Sequence, residues 1–344
     1  MSNIREVAQK AGVSIATASR ILSNDDTFKT TEATRQKVLS ATKELNYIFC
    51  PRKKASPKLH IGCILPLTSE KYSDPFFSSI LLAIEEECNK QNATVSAIRN
   101  CNELQNHQLL KELCEMRLDG LVLMEEIPEP ILNILLKHVS HLIAIDKPNS
   151  EFNAIGFDHI YANTLVMKHL LQRGYRRIAY IGGSSPYFAM LNSFRLMVYR
   201  EELRKHNILY DESIIRDCGW DLDLCAKCAE ELLLSPNRPD AIFAGSDTLA
   251  SVILSVIYRL GLKCPDDVGV IGFNNLDLSA HTAPPLTTVN IPTKAIGKCA
   301  ASRLIKLIRT NDPLIIKINL PTNLVVREST TPRSPASPGE SHLP

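Results

Sequence analysis

The stretch from Ile4 to Leu22 most constrains what this chain can fold into. It reads Ile4-Arg-Glu-Val7-Ala8-Gln-Lys-Ala11-Gly12-Val13-Ser14-Ile15-Ala16-Thr17-Ala18-Ser19-Arg20-Ile21-Leu22. Ile4, Val7, Ala8 and Ala11 recur at i, i+3, i+4 and i+7, one apolar face of a helix. Gly12 supplies the positive φ that ends it, and Ser14 can cap a second helix through its hydroxyl. Two short helices joined by so tight a turn pack at a steep angle, and the second projects from the surface in a form that fits the major groove of DNA. A third helix is predicted after a cap at Thr31, with Glu32 in its first turn and a stripe of Val38, Ala41, Thr42 and Leu45.

An ordinary helical corner could carry the same Ala-Gly-Val-Ser, so charge helps to decide. Residues 1–60 hold 11 Lys+Arg against 5 Asp+Glu, whereas the remainder holds 28 against 32. The overall net of +2 thus hides a basic head on an acidic body, which suits a phosphate-binding module attached to something else.

At 344 residues the chain is too long for one small domain. No apolar run approaches the ~20 residues needed to cross a membrane. The start, Met-Ser-Asn-Ile-Arg-Glu, has no basic region followed by an apolar stretch, so a cytoplasmic protein is expected. The ten cysteines are scattered. Only Cys225-x-x-Cys228 has zinc-like spacing, and it falls in a predicted helix over Leu222–Leu234, where i and i+3 are neighbours. Reduced, mostly buried thiols are the expectation, with no metal and no cofactor.

After residue 60, apolar strand-like runs at Ile61–Leu65, Val95–Ile98, Gly120–Met124, Leu142–Ile145, Ile178–Ile181, Ala241–Ala244 and Val268–Gly272 alternate with helical patterns. The latter include Phe76–Lys90, His107–Met116, Tyr161–Arg173, Leu196–His206, Thr248–Leu260 and Lys294–Arg309. Alternating apolar strands and helices predict α/β layers around parallel sheets, in two lobes because the elements are too many for one. Ligands of such sheets bind beyond the C-terminal strand ends, and a cleft between two lobes can close on one. Those ends carry Asp146, Gly182-Gly183-Ser184-Ser185, Ser246-Asp247 and Asn274-Asn275. Each reads singly as a helix cap or turn; together they suggest a polar pocket that reads hydroxyls. The Gly-Gly-Ser-Ser turn could equally touch a phosphate. Catalytic templates are missing: there is no Gly-x-Ser-x-Gly, Walker loop, His-Glu-x-x-His or Gly-x-Gly-x-x-Gly after the first strand.

Val7-Ala-x-x-Ala11-Gly-Val-Ser14-x-x-Thr17-x-Ser19-Arg20 followed by Leu45-Asn-Tyr47 resembles the lac repressor/galactose repressor family of bacterial regulators, as do Asp74-Pro-Phe-Phe77, Asp119-Gly-Leu-Val122, Ile178-Ala-Tyr-Ile-Gly-Gly183, Pro265-Asp-Asp-Val-Gly-Val-Ile-Gly-Phe273 and Pro284-Pro-Leu-Thr-Thr-Val289. The match runs from Ile4 to Arg327. It implies an all-α helix-turn-helix head, an α/β two-lobed periplasmic-binding-protein-like (type I) core and a homodimer that acts as a sugar-responsive repressor without catalysis. The partners implied are double-stranded operator DNA and a small-molecule effector, with no membrane. Ile15, Ala16 and Arg20 would face base edges, and Ser14, Thr17 and Ser19 would hold phosphates or cap the helix. Phe76, Asp146, Arg195, Trp220, Ser246 and Asn274 match effector-pocket positions. The Asp146, Ser246-Asp247 and Asn274 pattern resembles the galactoside-responsive branch, which favours galactose or a galactoside.

The linker departs from the family. Phe49-Cys-Pro-Arg-Lys-Lys-Ala-Ser-Pro-Lys-Leu59 is basic and broken by Pro51 and Pro57, so the usual leucine-bearing hinge helix is not recognisable. Arg52, Lys53 and Lys54 would then contact phosphates or the minor groove without leucine intercalation. The domains expected are a DNA-binding head at 1–48, a linker at 49–58, an effector-binding and dimerisation domain at 59–328 and a disordered Pro/Ser-rich tail at 329–344. Within the core, lobe one would take about 59–157 plus 292–318, and lobe two about 158–291 plus 319–328. Two other functions compete with this one. A two-lobed sugar-processing enzyme carrying a DNA-binding head lacks its motifs, and an exported solute-binding protein would lack its signal peptide.

Overall fold

The computed structural model describes residues 3–25, 28–47, 49, 57–65, 75–124, 127–147, 151–184 and 189–331. The chain divides into two compact units, residues 1–57 and 58–344.

The first unit holds three helices, α1 (Ile4–Ala11), α2 (Ile15–Leu22) and α3 (Glu32–Glu44). Asn3 starts α1 with a reciprocal capping box: its Oδ1 accepts the Glu6 amide at 3.1 Å, while the Glu6 carboxylate takes the Asn3 amide at 3.3 Å. Gly12 ends α1 at φ +67°, and Ser14 Oγ then caps α2 by accepting the Thr17 amide at 3.1 Å. Thr31 caps α3 through the Thr34 amide at 3.3 Å. Val7, Ala8, Ala11, Ala18, Ile21, Val38 and Ala41 form the small shared core, with Ile4, Phe28 and Leu45 packed against it.

The second unit contains two six-stranded sheets. Sheet one orders β1 (Leu59–Leu65), β2 (Ala93–Asn100), β3 (Gly120–Leu123), β4 (Leu142–Ile145), β5 (Asn153–Phe157) and a late strand β11 (Lys317–Leu320) as β11-β5-β4-β3-β1-β2. All its pairings are parallel. Its helices are α4 (Pro75–Lys90), α5 (His107–Glu115), α6 (Glu129–His138) and a late helix α11 (Thr293–Thr310). Sheet two consists of β6 (Ile178–Gly182), β7 (Ile215–Asp217), β8 (Ala241–Ala244), β9 (Gly269–Asn274), β10 (Thr287–Asn290) and β12 (Asn323–Val325), ordered β12-β10-β9-β8-β6-β7. It is parallel except for β12, which runs antiparallel to β10. With it go α7 (His159–Gln172), α8 (Phe194–Lys205), α9 (Leu222–Leu234) and α10 (Asp247–Arg259).

The inner strands are buried along their whole length, as strands covered on both faces must be. The chain passes between the sheets three times, from β5 to α7, from β10 to α11 and from β11 to β12. Helix α11 lies close against α4 because position 297 is glycine. A Cβ there would run into the Ile80 carbonyl oxygen and stand 2.8 Å from the Ala83 Cβ. Cys225 and Cys228 point from α9 into the core of lobe two. Among the described residues no group of His, Cys, Asp and Glu could hold a metal. None of their helices is long and apolar enough to cross a membrane.

Two expected boundaries need correction. Lobe one keeps the chain to Leu320 rather than 318, because Lys317–Leu320 pairs with Ala154–Phe157. The tail does not begin at 329. Ser329 Oγ donates to the Val270 carbonyl at 2.6 Å and accepts the Thr287 amide at 2.8 Å, and Thr330 Oγ1 meets His169 Nε2 at 2.8 Å. Short hydroxyl side chains that read as tail composition here complete buried hydrogen bonds of sheet two. Residues 332–344 lie outside the described part.

Candidate functional site

Helix α2 presents Ser14, Ile15, Ala16 and Arg20 outward, with Thr17 and Ser19 partly exposed. Ala18 and Ile21 are its inward anchors. Ile15 is 46% exposed although it is a large aliphatic residue on a small, well-packed unit. The Arg20 guanidinium carbon lies 5.3 Å from the Phe28 ring centroid, a cation–π contact that limits where its fork can point. Ser14 Oγ also lies 2.9 Å from Thr17 Oγ1, so both hydroxyls are engaged at the helix start. Arg52, Lys53 and Lys54 lie outside the described residues.

In the second unit the groups singled out in the sequence sit at the C-terminal ends of β4, β6, β8 and β9 or in the turns that follow. Three of the six effector candidates have left-handed backbone: Asp146 at φ +60°, Trp220 at +67° and Asn274 at +116°. Such conformations cost about 1–3 kcal/mol each in non-glycine residues and cluster at functional sites.

Trp220 is set by a short turn. Burial opposes ionisation of the Asp217 carboxyl, but hydrogen bonds from the Ser184 hydroxyl and from the Gly219 and Ser184 amides outweigh it and hold the carboxyl below its ordinary value. The two amides donate to Asp217 Oδ1 at 3.0 and 2.9 Å. The indole then lies across bare glycine backbone, since a Cβ at Gly245 would stand 3.3 Å from Trp220 Cη2. Gly183 and Ser184, read from the sequence as a turn or a phosphate contact, here support this tryptophan.

Arg195, near the start of α8, brings its guanidinium carbon to 4.5 Å from the Phe273 ring centroid and 6.0 Å from that of Trp220. Its Nε is buried with no hydrogen-bond partner among the described residues. A buried unpaired N–H costs about 1–3 kcal/mol and marks a place where an acceptor would be favoured. Phe273 also meets Phe157 of lobe one, with centroids 6.1 Å apart, so the aromatic cluster spans both lobes. Asp146 joins the same cluster through His159, whose Nε2 lies 2.6 Å from its Oδ1 and whose ring packs on Phe157.

The other candidates take quieter places. Phe76 is buried near the start of α4, edge-to-face with Phe77 at 5.0 Å. Ser246 Oγ caps α10 by accepting the Leu249 amide at 3.2 Å. Asn274 is buried at the end of β9.

Sequence reading missed His159, Phe157, Phe194 and Phe273, because nothing in the local pattern separates them from core residues. It also left Asp247 among the pocket groups. This carboxylate is fully buried and accepts from the Leu276 amide at 2.7 Å, the Ser279 hydroxyl at 2.6 Å and the Thr288 hydroxyl at 2.6 Å. Burial raises its pKa despite these bonds. Asp247 therefore ties α10 to β10 and the turn after β9.

A three-helix unit with an exposed second helix, followed by a two-lobed α/β unit with polar and aromatic groups at its strand ends, is the architecture of a ligand-responsive DNA-binding protein. Residues 3–49 match the model for bacterial regulatory proteins of the lacI family, and residues 167–330 match a periplasmic binding protein-like domain. The HTH-type transcriptional repressor PurR of Vibrio atlanticus (strain LGP32) is 30% identical over 319 residues, covering 91% of this chain and 93% of that protein. A solved complex of the transcriptional regulator CelR with cellobiose is 26% identical with a TM-score of 0.70, covering 96% of this chain and 100% of that one. A lacI family regulator from Enterococcus faecium with bound ribose is 25% identical with a TM-score of 0.70, over 80% of this chain and 100% of its own. The chain belongs to the lacI family of bacterial transcription regulators. It is a DNA-binding repressor controlled by a small-molecule effector and is not an enzyme.

Proposed function

We propose that the protein represses a sugar-utilisation operon and releases its operator when a small sugar, galactose or a galactoside first among the candidates, occupies the cleft between the lobes. The observation that carries this reading is Arg195. Its guanidinium lies over Phe273 and near Trp220, with a buried Nε lacking a partner among the described residues. A flat indole beside a forked hydrogen-bond donor matches a pyranose, which offers a C–H face to a ring and hydroxyls to an arginine. The relatives solved with cellobiose and with ribose support the sugar class.

In this reading Phe76, Asp146, Ser246 and Asn274 complete the pocket. Ile15, Ala16 and Arg20 read base edges, while Ser14, Thr17 and Ser19 contact phosphates or cap the helix. Arg52, Lys53 and Lys54 follow the backbone or minor groove. Two heads then bind half-sites about one helical turn apart. The sugar acts because it binds the operator-competent lobe arrangement less tightly than the released one.

The test is a thermal-shift panel of galactose, methyl β-galactoside, cellobiose, ribose, sugar phosphates, nucleosides and purines on the full-length protein, followed by operator release. A sugar at about 100 times its Kd adds about 2.7 kcal/mol of stability, readily seen as a raised Tm. A sugar that both stabilises the protein and frees the operator supports the proposal. A response to purines alone would overturn the sugar assignment.

A further inference from the structure

His159 sits where the chain leaves sheet one for lobe two. It is the first residue of α7, directly after the Asp158 cap, whose Oδ1 accepts the Tyr161 amide at 2.9 Å. Its imidazole packs on Phe157 of β5, with centroids 4.2 Å apart and planes at 32°, and on Phe194 of α8, at 5.2 Å and 30°. Two rings restrict its rotation, and its Nε2 lies 2.6 Å from Oδ1 of Asp146, in lobe one. A carboxylate offers only acceptors, so His159 donates through an Nε2-bound proton.

Asp146 itself has little backbone freedom. It stands at φ +60°, and its amide donates to the Ile155 carbonyl at 2.9 Å. Its Cα lies so near sheet one that a Cβ on Gly156 would be only 3.2 Å away. What remains adjustable is the side chain. His159 takes one carboxylate oxygen, and Oδ2 receives no hydrogen bond from the described residues. Both side chains are partly accessible, 14% for His159 and 26% for Asp146.

We propose that His159 is a positioning residue for effector recognition, holding the Asp146 carboxylate from across the lobe boundary so that Oδ2 meets an effector hydroxyl. The proposal rests on the reading of Asp146 as an effector-binding group. A carboxylate fixed by one charge-assisted hydrogen bond is pre-organised to accept another, so less ordering is left for the ligand to impose.

The test compares H159F, H159Q, D146N and the H159F/D146N double variant in the full-length protein. H159F keeps an aromatic ring but removes the donor, whereas H159Q returns an amide N–H. Calorimetric titration uses galactose, methyl β-galactoside, cellobiose and ribose, with Tm as the folding control. H159F is expected to raise Kd about tenfold or more and H159Q less than about threefold, the size of one charge-assisted hydrogen bond. The double variant should bind no worse than D146N, as two residues acting on one contact require. Long-range 1H–15N spectra should show His159 as the Nε2–H tautomer, with its signal shifted in D146N.

If D146N is impaired and H159F binds as the wild type does, the positioning role falls while the reading of Asp146 stands. Equal impairment of H159F and H159Q would also overturn it, since packing rather than donation would then be the cause. An Nδ1–H tautomer overturns it without any ligand. Normal binding by D146N, or no sugar bound by the wild type, removes the reading of Asp146 and the proposal with it.

Discussion

The indole of Trp220 lies against the bare backbone of Gly183. A Cβ at Gly183 would stand 2.5 Å from the Trp220 amide nitrogen and 2.6 Å from its Cδ1. The first of these atoms is backbone and cannot swing aside. Gly183→Ala must therefore shift the turn that carries Trp220, a strain of about 1–3 kcal/mol. Tryptophan fluorescence reports this directly, because the chain has one Trp. The expected outcome is a changed emission maximum and effector binding weakened at least about tenfold, with operator binding retained. An unchanged spectrum and Kd would show that the turn absorbs the methyl group.

Arg195→Ala is expected to abolish the effector response while operator binding persists. The side chain donates to no partner through Nε among the described residues, so its removal strands no protein acceptor there. Loss of its contacts with Phe273 and Trp220 should lower stability by no more than about 1–2 kcal/mol. Anisotropy of a labelled operator, titrated with the sugar selected by thermal shift, measures both quantities. Normal release by this variant would remove Arg195 from the pocket.

The DNA head should separate stability from recognition. Ile15 is 46% exposed, so Ile15→Ala is expected to move Tm by no more than a few degrees. Operator affinity should fall by about 1 kcal/mol, with relaxed preference at one base pair, whereas Arg20→Ala should cost about 1–3 kcal/mol. Operator-library selection against both variants tests this. A uniform loss across all sequences would assign Ile15 to packing or backbone contact instead.

What was legible in the sequence follows from the range of the interactions involved. Gly12 and the Ser14 cap are fixed by neighbours within four residues, and α1 and α2 form as their spacing predicts. The helix over Leu222–Leu234 was likewise readable from local periodicity. β5 and β10 were not singled out, because Asn153–Phe157 and Thr287–Asn290 are short and partly polar and gain their strand character from sheet partners. Asp247 illustrates the harder limit. Its position at a strand end suggested a ligand group, but its three donors come from Leu276, Ser279 and Thr288, 29 to 41 residues away. The same holds for His159, whose partner Asp146 lies 13 residues earlier and whose neighbour Phe194 belongs to another helix.

Asp247→Ala is accordingly expected to act on stability. It leaves the Leu276 amide buried and unpaired, while the Ser279 hydroxyl keeps the Leu276 carbonyl at 2.7 Å and Thr288 Oγ1 keeps the Asn275 amide at 3.3 Å. A loss of about 3–5 kcal/mol is expected by urea denaturation. Asp247→Asn should lose less, because it keeps one acceptor oxygen. A variant as stable as the wild type would return Asp247 to the pocket.

Acid sensitivity should trace in part to His169. Burial, and then the neighbouring Arg173 charge, push its pKa from 6.5 down to about 4. The neutral ring is engaged with Thr330 Oγ1 at 2.8 Å. In the folded protein His169 stays neutral where the unfolded chain already binds a proton. Its contribution is therefore fully present above about pH 6.5, falls as pH drops toward 4 and levels off below that. The span corresponds to about 3 kcal/mol. Urea midpoints from pH 7.5 to 4.5 should fall more steeply for the wild type than for His169→Gln, which can still reach Thr330 but does not titrate. Parallel profiles would mean that other groups set the acid limit.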